Sequence, residues 1–127
     1  MKKTFVLALM VLSIPTFGAL DSNQCVRAIV GEASGEPYKC QVAIGAVIRN
    51  RGSLKGVYGL NAPHVNKESP ATFNKAAKAW AESATNDVTR GCSMWGGIID
   101  DHYFQGKLHL KPVMTIGKTR FYRNPVK

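Results

Sequence analysis

The chain has 127 residues, with 17 Lys and Arg against 8 Asp and Glu, so its formal net charge is +9. This length holds one small domain, and the basic balance predicts anionic partners, either cell-envelope material or nucleic acid. Runs of basic residues occur only at 49–51 and 118–123, which argues against a nucleic-acid site. Three Cys and three His without zinc-site spacing predict no structural metal, and no cofactor is expected.

The N-terminal segment has the order of a secretory signal peptide. Two lysines precede the apolar core Phe5–Ile14, and small residues follow up to Ala19. The core is about half of the ~20 apolar residues that span a bilayer. We therefore expect residues 1–19 to be a signal peptide, cut after Gly18 or Ala19, and residues 20–127 to form the exported domain. An uncleaved anchor is the alternative, and it would be the chain's contact with the membrane.

Hydrophobic periodicity predicts three helices after the leader. The first runs from Asp21 to Ala33, and the second starts near Pro37, ends near Arg51 and is apolar nearly all round, so it should be central. Residues 53–68 show no sustained period and indicate a long surface loop. The third helix begins with the cap Ser69 and keeps a clear apolar face to Ala84.

The helical periodicity of the sequence ends after the third helix. Residues 92–97 form a short candidate strand, an irregular stretch follows, and residues 113–122 predict a hairpin turned at Gly117. The predicted fold class is α+β, with three helices followed by a small antiparallel sheet.

Two carboxyls, Glu32 and Glu36, lie four residues apart at the junction of the first two helices. The negative end of a helix dipole and partial desolvation oppose ionisation at Glu32, whereas Glu36 precedes the second helix and should stay charged. Such a pair can divide acid and base roles. On spacing alone, an ordinary helix-end Glu and a solvated Glu remain the alternative.

The same junction carries a family resemblance. The motif G-E-A-S-G-E-P-Y over residues 31–38, Q-V-A at 41–43, A-V-I at 46–48 and N-R at 50–51 resembles the opening of the SleB/CwlJ-type cell wall hydrolases. At the other end, T-I-G at 115–117 and R-F-Y-R at 120–123 resemble the family's closing strand pair. Ser34 stands where the family usually has Arg, Thr119 stands where it often has His, and residues 54–69 match poorly. The preferred wall, spore cortex or ordinary, therefore stays open.

The resemblance implies a small lysozyme-like domain that cleaves the MurNAc–GlcNAc bond of peptidoglycan, usually as a lytic transglycosylase. Glu32 matches the family's catalytic acid, and Glu36 matches its second Glu. A muramidase, which uses water, is the other form of the enzyme. The runner-up function is a secreted peptidoglycan-binding module without activity. In either case the expected location is the periplasm or cell envelope, the partner is a glycan strand, and the chain acts as a monomer.

Further site candidates come from the motifs and from exposed aromatic residues. Asn50 and Arg51 match the family's N-R, with helix C-capping as the alternative. Trp95, next to two glycines, is placed to approach a sugar ring, as are Tyr103 and Phe104. The predicted substrate-binding or supporting residues are Glu36, Gln41, Asn50, Arg51, Trp95 and Tyr122.

The cysteines predict one disulfide in an exported domain. Helix one would separate Cys25 from Cys40 by more than ~10 Å, while a disulfide needs Cα atoms within ~7 Å. Cys92 is therefore the expected partner of one of the other two.

Overall fold

The structure is a computed structural model that describes residues 20–124, so the predicted leader lies outside the described residues. Helices and a small sheet follow one another along the chain, as the α+β prediction requires. The α-helices are α1 (Ser22–Ala33), α2 (Tyr38–Arg51), α3 (Pro70–Ser83) and α4 (Asp101–Gly106), and the strands are β1 (Met94–Gly97), β2 (Lys111–Ile116) and β3 (Thr119–Arg123). Short 3₁₀ helices occupy Tyr58–Asn61, Pro63–Lys67 and Ile98–Asp100.

The first two helices begin and end close to their predicted bounds. Asp21 caps α1, and its carboxylate accepts hydrogen bonds from the backbone N–H groups of Asn23 (2.8 Å) and Gln24 (3.2 Å). Helix α2 is the centre of the core, because every residue from Cys40 to Ile48 is buried. It ends at Gly52, which adopts the left-handed conformation typical of a C-terminal cap.

The segment predicted as a long surface loop is more ordered than expected. Its two 3₁₀ helices bury Gly59 and Val65, and Val57 is buried just before the first of them. Helix α3 then starts at Pro70 behind its cap Ser69, as the sequence predicts. Among residues 20–124, no helix combines the length and apolar character needed to cross a bilayer.

The sheet has the antiparallel strand order β1-β3-β2, with β3 in the middle. Phe121 and Tyr122 on β3 are fully buried, and the β2–β3 hairpin confirms the predicted turn around Gly117. Helix α4 was not predicted. It is six residues long and buries no residue fully, so it lacks the apolar period from which a helix is recognised.

The disulfide prediction is wrong for this structure. Within residues 20–124, which contain all three cysteines, every thiol is free and buried. Burial raises the pKa of Cys25 and of Cys40 to about 11, and it also raises the pKa of Cys92. The thiols therefore serve the core as small apolar groups that stay protonated near neutral pH.

Candidate active site

Glu32 lies in the last turn of α1, where two N–H donors from distant parts of the chain hold its carboxylate. The indole Nε1–H of Trp95 donates to Oε1 at 2.9 Å, and the backbone N–H of Gly59 donates to Oε2 at 2.7 Å. Strand β1 supplies the first donor and the Tyr58–Asn61 turn supplies the second. Neither donor is close to Glu32 in the sequence, so both contacts arise from the tertiary fold.

Gly59 can donate to Glu32 because it has no side chain. A Cβ on Gly59 would lie 2.7 Å from both Cγ and Oε2 of Glu32. On the helix side, a Cβ on Gly31 would lie 1.8 Å from the carbonyl oxygen of Gly59. The two facing glycines therefore let the 3₁₀ turn rest directly on the end of α1, which is where the carboxylate is held.

Glu32 opens into a cavity of about 410 Å³. This volume falls within the roughly 300–1,000 Å³ of ligand sites. Aromatic residues from the 3₁₀ turn, from β1 and from α4 form much of its wall. The lining residues are Glu32, Arg51, Gly56, Tyr58, Met94, Trp95, Tyr103 and Phe104.

Helix α4, which forms one wall of the cavity, contacts the sheet through Phe104 and Asp101. The Phe104 ring stacks on Tyr122 at a centroid distance of 4.9 Å, and a Cβ on Gly96 would lie 2.1 Å from its edge. Phe104, not a ligand, therefore fills the space that Gly96 leaves open. Asp101 accepts from the Tyr122 hydroxyl at 2.6 Å and pairs with Arg120 at 3.0 Å. The Tyr122 bond, with further hydrogen bonds and the Arg120 charge, lowers the pKa of Asp101.

Arg51, the last residue of α2, brings a positive charge to the same cavity. Its Nη2 donates to the Lys55 carbonyl, and its guanidinium lies 5.8 Å from the centre of the Trp95 ring. Partial burial lowers the pKa of Arg51. The indole N–H of Trp95 thus contacts the Glu32 carboxylate, and the ring of Trp95 lies near the Arg51 guanidinium.

Two solved structures share this architecture. The catalytic domain of the Bacillus cereus SleB protein is 24% identical with a TM-score of 0.58, over 83% of this chain and 93% of that one. The catalytic domain of the germination-specific lytic transglycosylase SleB from Bacillus anthracis is 25% identical with a TM-score of 0.56, over 84% of this chain and 98% of that one. The chain has the fold of the SleB catalytic domain. The resemblance inferred from the motifs is therefore confirmed for the fold, although no protein-family model and no curated protein matches.

Not all of the predicted site residues face the cavity of this SleB-like domain. Glu36 points to the hairpin, where its Oε1 accepts from the backbone N–H of Lys118 at 2.9 Å. Asn50 donates to Asp87 and to the Cys92 carbonyl, which ties the end of α2 to the segment before β1. Glu36 and Asn50 hold elements together, and neither is among the lining residues.

Two more candidates, Gln41 and Tyr122, are buried and are not among the lining residues of the SleB-like site. Gln41 is fully buried, and its Nε2 donates at 2.9 Å to the carbonyl of Ala33, the residue after Glu32. Tyr122 is also fully buried, behind Phe104, so it supports the wall without reaching a ligand. Glu32, Arg51 and Trp95 lie together on the lining, and so do the aromatic candidates Tyr103 and Phe104.

Sequence reasoning missed Gly59 and gave Tyr58 no role. A glycine that is needed for close approach has no signal of its own in a single sequence, although the Gly56-Val57-Tyr58-Gly59 run marks a special turn. Within residues 20–124, no group of three His, Cys, Asp or Glu is placed to hold a metal ion.

Proposed function

We propose that the protein is an exported peptidoglycan-degrading enzyme that cleaves the MurNAc–GlcNAc bond with Glu32 as general acid and base. The observation that carries the proposal is that Glu32 is the one acidic residue on the described cavity lining, held by the Trp95 and Gly59 N–H groups. A preorganised carboxyl in a partly enclosed, aromatic-walled cavity suits general acid–base catalysis. The SleB-like fold, which one relative uses as a lytic transglycosylase, supports the same reaction class.

The proposed reaction requires one carboxyl group. Protonated Glu32 gives its proton to the glycosidic oxygen as the bond from that oxygen to C1 of MurNAc breaks. The resulting carboxylate takes the proton of the MurNAc 6-hydroxyl while the 6-oxygen bonds to C1. The products are a 1,6-anhydro-MurNAc end and a new GlcNAc end, and Glu32 is protonated again. Water is not consumed.

The position of Glu36 favours this route over hydrolysis. Hydrolytic glycosidases place two carboxyls ~5–9.5 Å apart around the scissile bond, one of which activates water or attacks the sugar. Glu36 is absent from the lining residues and is engaged by the Lys118 N–H on the hairpin. We therefore assign it a structural role at the helix junction.

The aromatic side chains suit a sugar ligand. Tyr58 is 84% exposed and Tyr103 is 48% exposed, and both line the cavity around Glu32. An aromatic ring that stays exposed at a cavity rim gains from burial against an apolar ligand face. These two rings are the proposed stacking surfaces for the sugars on either side of the cleaved bond.

Export is part of the proposal, because peptidoglycan lies outside the cytoplasm. It rests on the basic n-region and the short apolar core of residues 1–19. N-terminal sequencing of protein recovered from the periplasm or the medium tests it. A mature start at residue 19 or 20 supports cleavage, and recovery of the uncut chain in the membrane supports an anchor.

Digestion of purified sacculi tests the catalytic proposal. The unaltered chain should release muropeptides with anhydro ends, and Glu32→Gln should reduce this release by at least about 10³-fold. Glu36→Gln is the matched control, since its amide oxygen can still accept from Lys118, and it should retain most activity. Mass spectrometry that finds reducing ends would identify a muramidase instead. Sedimentation with sacculi without any soluble product would identify a binding module and refute the enzyme.

A further inference from the structure

Arg51 forms no ion pair closer than 4.0 Å with any of the described residues. Within residues 20–124, the ion pairs closer than 4.0 Å join His64 to Glu68 and Arg120 to Asp101. The hydrogen bond of Arg51 goes to a neutral carbonyl, that of Lys55. Burial of a charge costs free energy unless a counter-charge compensates it.

The position of Arg51 separates it from the other arginines. It lines the cavity together with Glu32, and burial lowers its pKa. Arg27 is also partly buried but lies outside the cavity and donates to Asn66 at 3.0 Å. A partly desolvated guanidinium next to an open cavity is suited to bind a carboxylate, because its planar fork matches both oxygens.

We infer that Arg51 binds a carboxylate carried by the muramic acid residue at the cleavage site, an inference that rests on the proposed function. Peptidoglycan offers this group in two forms. A strand that has lost its peptides bears the free lactyl carboxylate of muramic acid, and an intact strand bears carboxylates on the stem peptide. Neutral N-acetylglucosamine polymers offer neither, so Arg51 makes the enzyme select muramic acid over chitin-like strands.

The binding of uncleaved disaccharides tests the inference. N-acetylglucosaminyl-N-acetylmuramic acid contains a glycosidic bond, but not the MurNAc–GlcNAc bond proposed for cleavage, so it reports binding without turnover. The matched probes are this acid, its lactyl carboxamide, its conjugate with a dipeptide ending in D-glutamate, and chitobiose. The chain has two tryptophans, and the indole N–H resonance of Trp95, assigned with Trp95→Phe, reports on the cavity. Trp80, which does not line the cavity, gives the reference signal.

The probe that presents the recognised carboxylate, either the acid or the dipeptide conjugate, should bind about 10-fold more tightly than the uncharged carboxamide, as expected for one charge-assisted hydrogen-bonded pair. Tighter binding of the acid than of the dipeptide conjugate assigns the site to the lactyl carboxylate, and the reverse order assigns it to the stem peptide. Arg51→Gln should abolish the preference for a charged ligand. Arg27→Gln, which removes the same charge elsewhere, should preserve it.

Three results would overturn the inference. They are binding of both charged probes no tighter than the carboxamide by the unaltered chain, an unchanged preference in Arg51→Gln, and the absence of any Trp95 shift with all four probes. If Arg51→Gln does not fold, Arg51→Lys takes its place, with a preference reduced about threefold because the fork is lost. If the unaltered chain prefers a charged probe but releases nothing from sacculi, the proposed function is refuted, whereas the carboxylate-binding role of Arg51 stands.

Discussion

The two hydrogen bonds that hold Glu32 make Glu32→Gln a test of structure as well as of chemistry. A carboxylate accepts at both oxygens, and here each oxygen faces an N–H donor. A glutamine places an amide NH₂ against either Trp95 or Gly59, so that two donors oppose each other. The substitution removes one hydrogen bond and leaves a partly buried donor without an acceptor.

The expected cost is about 1–2 kcal/mol of unfolding free energy, the range for one unsatisfied donor in a partly buried site. In a domain of this size it lowers the melting temperature by roughly 5–15 °C. Trp95→Phe alone costs a similar amount, because it removes a donor and some ring volume. In the double variant the glutamine NH₂ faces a ring without a competing N–H. The double variant should therefore lose about 1 kcal/mol less than the sum of the single losses.

Thermal and urea unfolding, followed by far-UV circular dichroism, measures the four members of this cycle. Tryptophan fluorescence is unsuitable because one of the two tryptophans is replaced. Additivity within ~0.3 kcal/mol would refute the Trp95–Glu32 hydrogen bond. The site would then lack one of the two donors on which the proposed acid depends.

Three further outcomes follow from the same contacts. Gly59→Ala should reduce kcat on sacculi about 100-fold by displacing Glu32, whereas Gly35→Ala, which meets nothing within 4 Å, should stay near wild type. The lowered pKa of Asp101 adds stability that is present above the unfolded Asp pKa and is lost as pH falls below about 4. Asp101→Asn should therefore melt lower than wild type at pH 7, and the gap between the two melting temperatures should narrow as the pH falls through the lowered pKa of Asp101; a constant gap would contradict this. The three buried thiols, with raised pKa values, should resist alkylation in the native state, and all three should be labelled on unfolding. Rapid labelling of the native protein would argue against burial.

The sequence predicted the elements that carry their own signal. Helices α1 and α3 show a cap and an apolar period, and α2 shows an apolar run closed by Gly52, so local information suffices for them. Helix α4 is short and exposed, and distant partners on β3 hold it through Asp101. No local pattern in the chain encodes such a contact.

The residues of the candidate site also divide into those that the sequence could indicate and those that only the fold reveals. Glu32, Arg51 and Trp95 could be selected because their chemistry, or a motif, distinguishes them, and the lining contains all three. Gly59 acts through its backbone, so the residue type says nothing about its role until the 3₁₀ turn is seen against α1. Free cysteines replaced the expected disulfide because the core accommodates all three as buried groups.

The three groups that meet at Glu32 come from distant parts of the chain, which has a consequence for how the site forms. The acid belongs to α1, one donor comes 27 residues later, and the other comes 63 residues later. A nascent or translocating chain carries the glutamate but neither of its partners in position. The donor Trp95 lies on β1, and β1 pairs with β3, the last strand, so the site as described requires the whole sheet. An incomplete chain would therefore carry the acid without the two donors that hold it.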